Sequence, residues 1–347
     1  MPRAYFDYNA TAPLRPEALA AMVAAMDVTG NPSSVHAEGR AAKALIERAR
    51  AQVAAAFGAE GADVIFTSGA TEAAALACEG RGLVGAGIEH DAVRAWITED
   101  LDVDANGQVC VPDPARTALQ LANSETGIIQ TLPEGLAVSD MTQAFGKLPV
   151  AFNWTGVEMA LVSAHKLGGP MGIGALVVRR GTEVAARIRG GGQEMGRRAG
   201  TENIIGIVGF GAAAEAAARD LAAGTWARVE KIRNILESAI AQISNETIFV
   251  GKDSPRLPNT SCILTPGWKG ETQVMALDLA GFAVSAGSAC SSGKVRASRV
   301  LQAMGHDATA ASSVLRVSLG PETTEEDALR LADAWARLWQ RHRARLV

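Results

Sequence analysis

Apolar and polar positions along the chain switch repeatedly between a helical period and short, continuous apolar runs. RPEALAAMVAAM (15 to 26) and the stretch from Glu38 to Phe57 carry apolar residues at helical spacing. Between and after them DVIFTSG (63 to 69), TALQLAN (117 to 123), GLAVSD (135 to 140), MALVSAHK (159 to 166) and GALVVRR (174 to 180) read as strands. This alternation predicts an α/β protein with a largely parallel sheet. Ala212 to Ala223 and Ala227 to Ile243 predict two consecutive helices with Gly224 between them. Further elements follow: strands at ETIFVG (246 to 251), NTSCILT (259 to 265), FAVSAG (282 to 287) and VLRVSLG (314 to 320), with a helix over 271 to 280. The last helix opens with Thr323, Thr324, Glu325 and Glu326, a capping-box pattern, and runs to the basic end RHRARLV. A boundary near residue 222 predicts a large domain over 13–221, and a smaller α+β domain from 1–12 and 222–347.

Composition narrows the function classes. The chain has 347 residues, 48% of them hydrophobic, enough for a sizeable core. With 33 Lys and Arg against 37 Asp and Glu, there is no basic field for nucleic acid or an anionic membrane. MPRAYFDYNATAP lacks the apolar region of a signal peptide, and no apolar run approaches a bilayer span, so a cytoplasmic location is expected. Cys78, Cys110, Cys262 and Cys290 fall far apart without a CxxC pair or a histidine at ligand spacing. That argues against a metal site and a disulfide framework, and leaves Cys290, set in SAGSACSSGK, as either core filler or nucleophile.

Individual motifs carry chemistry of modest specificity. TSGATEA (67 to 73) follows a strand and opens a helix, a geometry that can turn backbone N–H groups and the Thr71 hydroxyl toward a phosphate; a plain strand-to-helix turn fits equally. In SAHKLGGP (163 to 170) Lys166 ends an apolar run, where burial can prepare a lysine for a Schiff base, although an exposed lysine is the commoner case. Asp140, closing another apolar run, can keep a pyridine nitrogen protonated or simply cap a helix. His90 can stack on an aromatic cofactor, move a proton as a catalytic group, or remain a polar surface residue. GFGAAA (209 to 214) matches a relaxed dinucleotide fingerprint with Glu230 downstream, but IIGIV before it is short and no second strand of a βαβ unit follows.

Taken together, the motifs resemble those of a known family. FDYNATAP, GNPSSVHAEGRAAK, FTSGATEA, EHDAV, ANSETG, DMTQAFGKLP, SAHKLGGPMGIGAL, GGGQEMGRRAGTEN, RLPNT, AVSAGSACSSG and LRVSLGPETTEE occur in family order nearly end to end. The chain is similar to the cysteine desulfurases of the pyridoxal-phosphate fold-type I, aminotransferase class V superfamily, in the group with a long catalytic-cysteine loop. The resemblance implies pyridoxal 5'-phosphate as cofactor, L-cysteine as substrate, a homodimer and a sulfur-acceptor protein. It implies Lys166 as the Schiff-base lysine, Asp140 as partner of the pyridine nitrogen, His90 as the stacking ring and Gln143 beside the phenolic oxygen. Ala70, Thr71, Ser163 and His165 match phosphate-side residues, and Thr201 matches one that reaches the phosphate of the other subunit. Arg316 matches the substrate-carboxylate arginine, with Asn123 also assigned to the substrate, and Cys290 matches the nucleophile that takes the sulfur as a persulfide and leaves alanine.

The chain also departs from the family pattern. Ser124 stands in ANSETG where the family usually has a second asparagine, contacting the phenolic oxygen near the substrate carboxylate; serine is shorter and lacks the amide donors. Only about a dozen residues separate Asn123 from Gly135, close to the minimum for a parallel crossover, which predicts a shortened or missing helix. The stretch from Glu79 to Glu89 is trimmed in the same way. Two alternatives accompany the desulfurase reading: a degenerate member acting as a binding or scaffold partner, and another pyridoxal-phosphate lyase or aminotransferase.

Overall fold

The computed structural model describes residues 3–287 and 297–345. Its first half runs β1 (Ala4–Tyr5), α1 (Pro16–Met26), α2 (Ala37–Ala56), β2 (Asp63–Thr67), α3 (Ala70–Cys78), β3 (Val84–Ala86), α4 (Asp91–Arg94), β4 (Thr98–Leu101), β5 (Val138–Asp140), β6 (Met159–Ser163) and β7 (Gly174–Val178). The second half adds α5 (Ile204–Ala222), α6 (Thr225–Ile243), β8 (Ile248–Phe249), β9 (Thr260–Leu264), α7 (Gly270–Leu279), β10 (Phe282–Ala283) and β11 (Ser285–Ala286). It closes with α8 (Arg299–Ala303), α9 (Ala308–Ser312), β12 (Val314–Ser318) and α10 (Glu325–Arg343).

The central sheet has the order β2-β7-β6-β5. β7 is antiparallel to both neighbours, whereas β5 and β6 are parallel. Parallel bridges from Val138 to Ala118 and from Thr117 to Val84 continue the sheet to the parallel pair β3 and β4, so the whole is mixed and mostly parallel. Alternation fixes its two faces. Val64, Phe66, Ala160, Val162, Ala175 and Val177 enter the core shared with α2 and α5, while Ile65, Leu161, Leu176 and Val178 face the core under α3. With both faces covered, β6 and β7 are buried at every position, which explains why their sequences read as continuous apolar runs.

A second sheet, β11-β12-β9-β8, is antiparallel throughout and packs with α6, α7 and α10. The start of the chain joins this half: β1 pairs with β10, Asp7 bridges to Ser318, and Phe6 lies in the same core as Trp226, Trp268 and Trp335. α10 begins where the Thr324 hydroxyl accepts from Asp327 N, with Glu325, Glu326 and Asp327 in its first turn and Arg341 and Arg343 in its last. Those charges oppose the helix dipole at both ends.

Several expected elements differ. TALQLAN forms no full strand: after the bridges at Thr117 and Ala118 it follows β5 only through Leu119 N to Val138 O and Leu121 N to Asp140 O, then turns at Asn123. Among the described residues no helix lies between that turn and β5, as the short spacing predicts. The second predicted helix pair starts earlier than expected, because IIGIVGFG belongs to α5. A Cβ on Gly209 would lie 2.7 Å from Met22 Cγ, and one on Gly211 2.8 Å from Ala49 Cα. These glycines admit α1 and α2 against α5 and hold no dinucleotide.

Candidate functional site

The carboxyl ends of β2, β5 and β6 open on one cavity of about 410 Å³, where ligands of such sheets are commonly held. Ten residues singled out from sequence line it: Ala70, Thr71, His90, Ser124, Asp140, Gln143, Ser163, His165, Lys166 and Arg316. Asn123 and Thr201 are not on its wall. The Asn123 side chain is consumed by its own turn, accepting from Glu125 N and Thr126 N, each at 2.9 Å, and donating to Ile88 O at 3.1 Å. Thr201 is exposed. Cys290 lies outside the described residues.

The phosphate-side wall is built from backbone. β2 ends at Thr67, whose hydroxyl donates to Gly69 O at 2.9 Å, and α3 begins at once with no side chain capping its first turn. Gly69, Ala70 and Thr71 line the cavity there, so the helix N-terminus offers the donors an anion needs. Glu72 braces the turn from outside, accepting from Ser68 N at 2.8 Å and from Arg198 Nε at 2.9 Å.

Lys166 stands in a short 3₁₀ turn directly after β6, its Nζ donating to Asn9 O at 2.8 Å and Ala10 O at 2.7 Å. Its neighbour His165 contacts Thr11 Oγ1 at 3.2 Å; burial, with the Lys166 and Lys147 charges, holds its pKa down at about 4, so the ring is neutral. Asp140 ends β5 and accepts from Thr142 N at 2.9 Å. His90 caps α4, its Nδ1 accepting from Ala92 N at 3.1 Å, which places the proton of the neutral ring on Nε2.

Arg316, in the middle of β12, is 1% exposed. It donates from Nη2 to Asp7 Oδ1 at 2.8 Å and from Nη1 to Ser124 O at 3.2 Å. Its Nε and the Thr142 hydroxyl are buried on the cavity wall without a hydrogen-bond partner. Buried polar atoms are normally satisfied, so both are poised for a polar ligand. An anion-binding helix end, an amine on a short turn, a carboxylate on a neighbouring strand end and a guanidinium opposite suit pyridoxal phosphate carrying an amino-acid substrate.

Besides Asp7 and Thr142, further residues at the site carry no individual signal in the sequence. Asn9 and Gln120 line the cavity, and Lys147 and Glu125 lie behind it. Asn9 and Lys147 fall inside FDYNATAP and DMTQAFGKLP, but their importance rests on contacts across the fold. Glu125 accepts from Ser298 Oγ at 2.6 Å, and a Cβ on Gly287 would lie 2.8 Å from its Oε2. Both flanks of the segment that carries Cys290 therefore converge on one carboxyl group. Burial pushes its pKa up to about 7, against the Ser298 hydrogen bond and the Arg316 charge.

Among the described residues no cluster of side chains could hold a metal ion, and no helix is long and apolar enough to cross a membrane. Comparison with known proteins gives a consistent likeness. A model of the aminotransferase class-V family matches residues 4–95 and 98–331. A cysteine desulfurase of Cereibacter sphaeroides is 40% identical, over 96% of this chain and 95% of its own length. One of Klebsiella pneumoniae is 38% identical, over 94% and 90%. The X-ray structure of a NifS-like protein from Rickettsia africae superposes with a TM-score of 0.88 at 29% identity, covering 97% of this chain and 99% of that one.

Proposed function

The chain belongs to the aminotransferase class-V family and is an enzyme of its cysteine desulfurase branch, and from that premise we propose how its residues divide the work. Pyridoxal phosphate, when bound, supplies an electron sink that lets an amino acid give up its α-proton. The first turn of α3, with Thr71, Ser163 and His165, holds its phosphate. Asp140 keeps the pyridine nitrogen protonated, His90 stacks on the ring, and Gln143 donates to the phenolic oxygen.

Arg316 binds the carboxylate of L-cysteine through the N–H groups that Asp7 and Ser124 leave over. Lys166, already held beside the N-terminal segment, moves the proton at the substrate α-carbon. Cys290 takes the sulfur as a persulfide, the substrate leaves as alanine, and the persulfide passes to a thiol of an acceptor protein serving iron-sulfur cluster or other thio-cofactor synthesis. The small residues around Cys290 suit an arm that visits the cavity and then the acceptor. Thr201, exposed and off the wall of its own cavity, suits a role toward the phosphate of a second copy in a homodimer. We place residues 13–221 as the cofactor domain, with 1–12 and 222–347 as the smaller one, and the enzyme in the cytoplasm.

The observation that carries this reading is the convergence of Lys166, Asp140, His90 and Arg316 on one cavity. The test mixes cofactor-loaded protein with L-cysteine and a thiol reductant and measures alanine and sulfide. Alanine no higher than with Lys166→Ala rejects the assignment. Full sulfur release by Cys290→Ala rejects the persulfide step alone.

A further inference from the structure

Lys147 follows β5 and is 3% exposed, and the reaction proposed above gives it no task. Its Nζ donates to Asn9 Oδ1 at 3.1 Å and to Gln143 Oε1 at 2.6 Å. Burial, with the Lys166 and Arg316 cations nearby, holds its pKa well below that of an ordinary lysine. Either protonation state leaves enough N–H bonds for both acceptors, so the arrangement does not depend on the charge.

A carboxamide has one accepting end and one donating end. Lys147 takes the accepting end of Gln143, which turns Nε2 the other way, where it donates to Asn9 O at 2.9 Å. The same logic fixes Asn9. Its Oδ1 receives Lys147 and Asn259 Nδ2, so its Nδ2 donates to Ser124 O and Thr260 Oγ1. The Asn9 carbonyl in turn accepts from the Lys166 amine.

We propose that Lys147 is a positioning residue for the reaction: it orients the Gln143 carboxamide and Asn9 so that a donor, and not an acceptor, faces the phenolic oxygen of the cofactor. The proposal rests on the role given to Gln143 above. Without that donor the phenolic oxygen of a bound cofactor would be the stronger base, so the cofactor's colour change with pH would move upward.

The experiment follows the visible absorption of the cofactor-loaded enzyme against pH. Lys147→Met raises the midpoint by roughly one pH unit, and the same substitution in a Gln143→Ala background shifts it little. Equal shifts in the two backgrounds mean that the lysine acts by charge alone and overturn the proposal. So does a Lys147→Met enzyme with a lowered melting temperature and an unmoved midpoint. Lys147→Gln, whose amide keeps a donor but not the charge, separates orientation from charge: a midpoint nearer the parent's than a rise of roughly one unit supports the proposal, and the full rise overturns it. A Gln143→Ala single variant with the parent midpoint shows that Gln143 does not touch the cofactor, so the underlying reading fails and takes this one with it.

Discussion

The wall that carries the α3 turn, Asp140 and Lys166 and the wall that carries Arg316 and Ser124 are built by different means. In the first, each group sits at or next to a strand end, and short bonds orient the turns, Thr67 to Gly69, Asp140 to Thr142 and His90 to Ala92, while the Lys166 amine reaches the N-terminal segment at Asn9 O and Ala10 O. In the second, Arg316 reaches Asp7 across 309 residues and Ser124 across 192, while Ser298 reaches Glu125 across 173. The buried sheet fixes where the strand ends of the first wall lie, and only the tip of Lys166 depends on the N-terminal segment. A wall made of long-range polar pairs exists only when both halves of the molecule are docked. The difference fits the proposed division, with chemistry on the first wall and substrate recognition on the second, and single substitutions can break it.

The largest effect belongs to the first wall. Lys166→Ala removes the group proposed to move the proton, and kcat falls by about 10³-fold or more, as expected for loss of a positioned acid-base group. Cofactor retention measured alongside separates lost chemistry from lost binding. In the second wall, Arg316→Lys keeps the charge and loses the planar fork. One charge-assisted hydrogen bond is worth about 1.5–3 kcal/mol, so KM for L-cysteine rises about tenfold or more while kcat changes less. A drop confined to kcat would remove the division between the walls.

The same division explains what the sequence makes legible. Apolar runs mark β2, β6 and β7 because these strands are buried on both faces, and their ends deliver Thr67, Ser163 and Lys166 without further information. Helix periodicity places α2, α6 and α10 for the same reason: one stripe of each packs on a core. IIGIVGFG hides the first turns of α5 because its glycines serve packing against α1 and α2, a purpose that helix propensity does not express. TALQLAN is apolar enough for a strand, yet beyond Leu121 it turns on Asn123 side-chain bonds that pattern cannot reveal. The pairings of Asp7 with Arg316 and of Lys147 with Asn9 are tertiary facts, visible only once the N-terminal segment lies between the two halves. Family likeness supplies Arg316 and Gln143; it leaves unsaid what holds them.

Ser124 tests the second wall more gently. Its carbonyl already serves Asn9 and Arg316, so Ser124→Asn keeps those backbone bonds and adds a carboxamide at the cavity. One neutral hydrogen bond gained is worth about 1 kcal/mol, and KM for L-cysteine falls about fivefold. An unchanged KM together with an unchanged cofactor spectrum would show that the serine costs this enzyme nothing.

The effect furthest from the reaction, read in stability and not in rate, concerns Glu125, where the second wall meets the flanks of the Cys290 segment. Its pKa is about 7 in the folded chain against the ordinary 4.5. Between those values the folded state holds a proton that the unfolded chain has released, so this group's contribution to stability falls as pH rises through the window. Below the window both states are protonated and the penalty is absent. Above it both are ionised and the full penalty stands, roughly 3 kcal/mol at about 1.4 kcal/mol per unit. Glu125→Gln has no proton to lose and keeps an oxygen for the Ser298 hydroxyl. Its melting temperature exceeds the parent's by about 3 °C at pH 8, with the difference vanishing toward pH 4.5. A difference that is equal at both pH values would mean that the carboxyl group is already solvated, and that the two chain flanks meet around water and not around a buried acid.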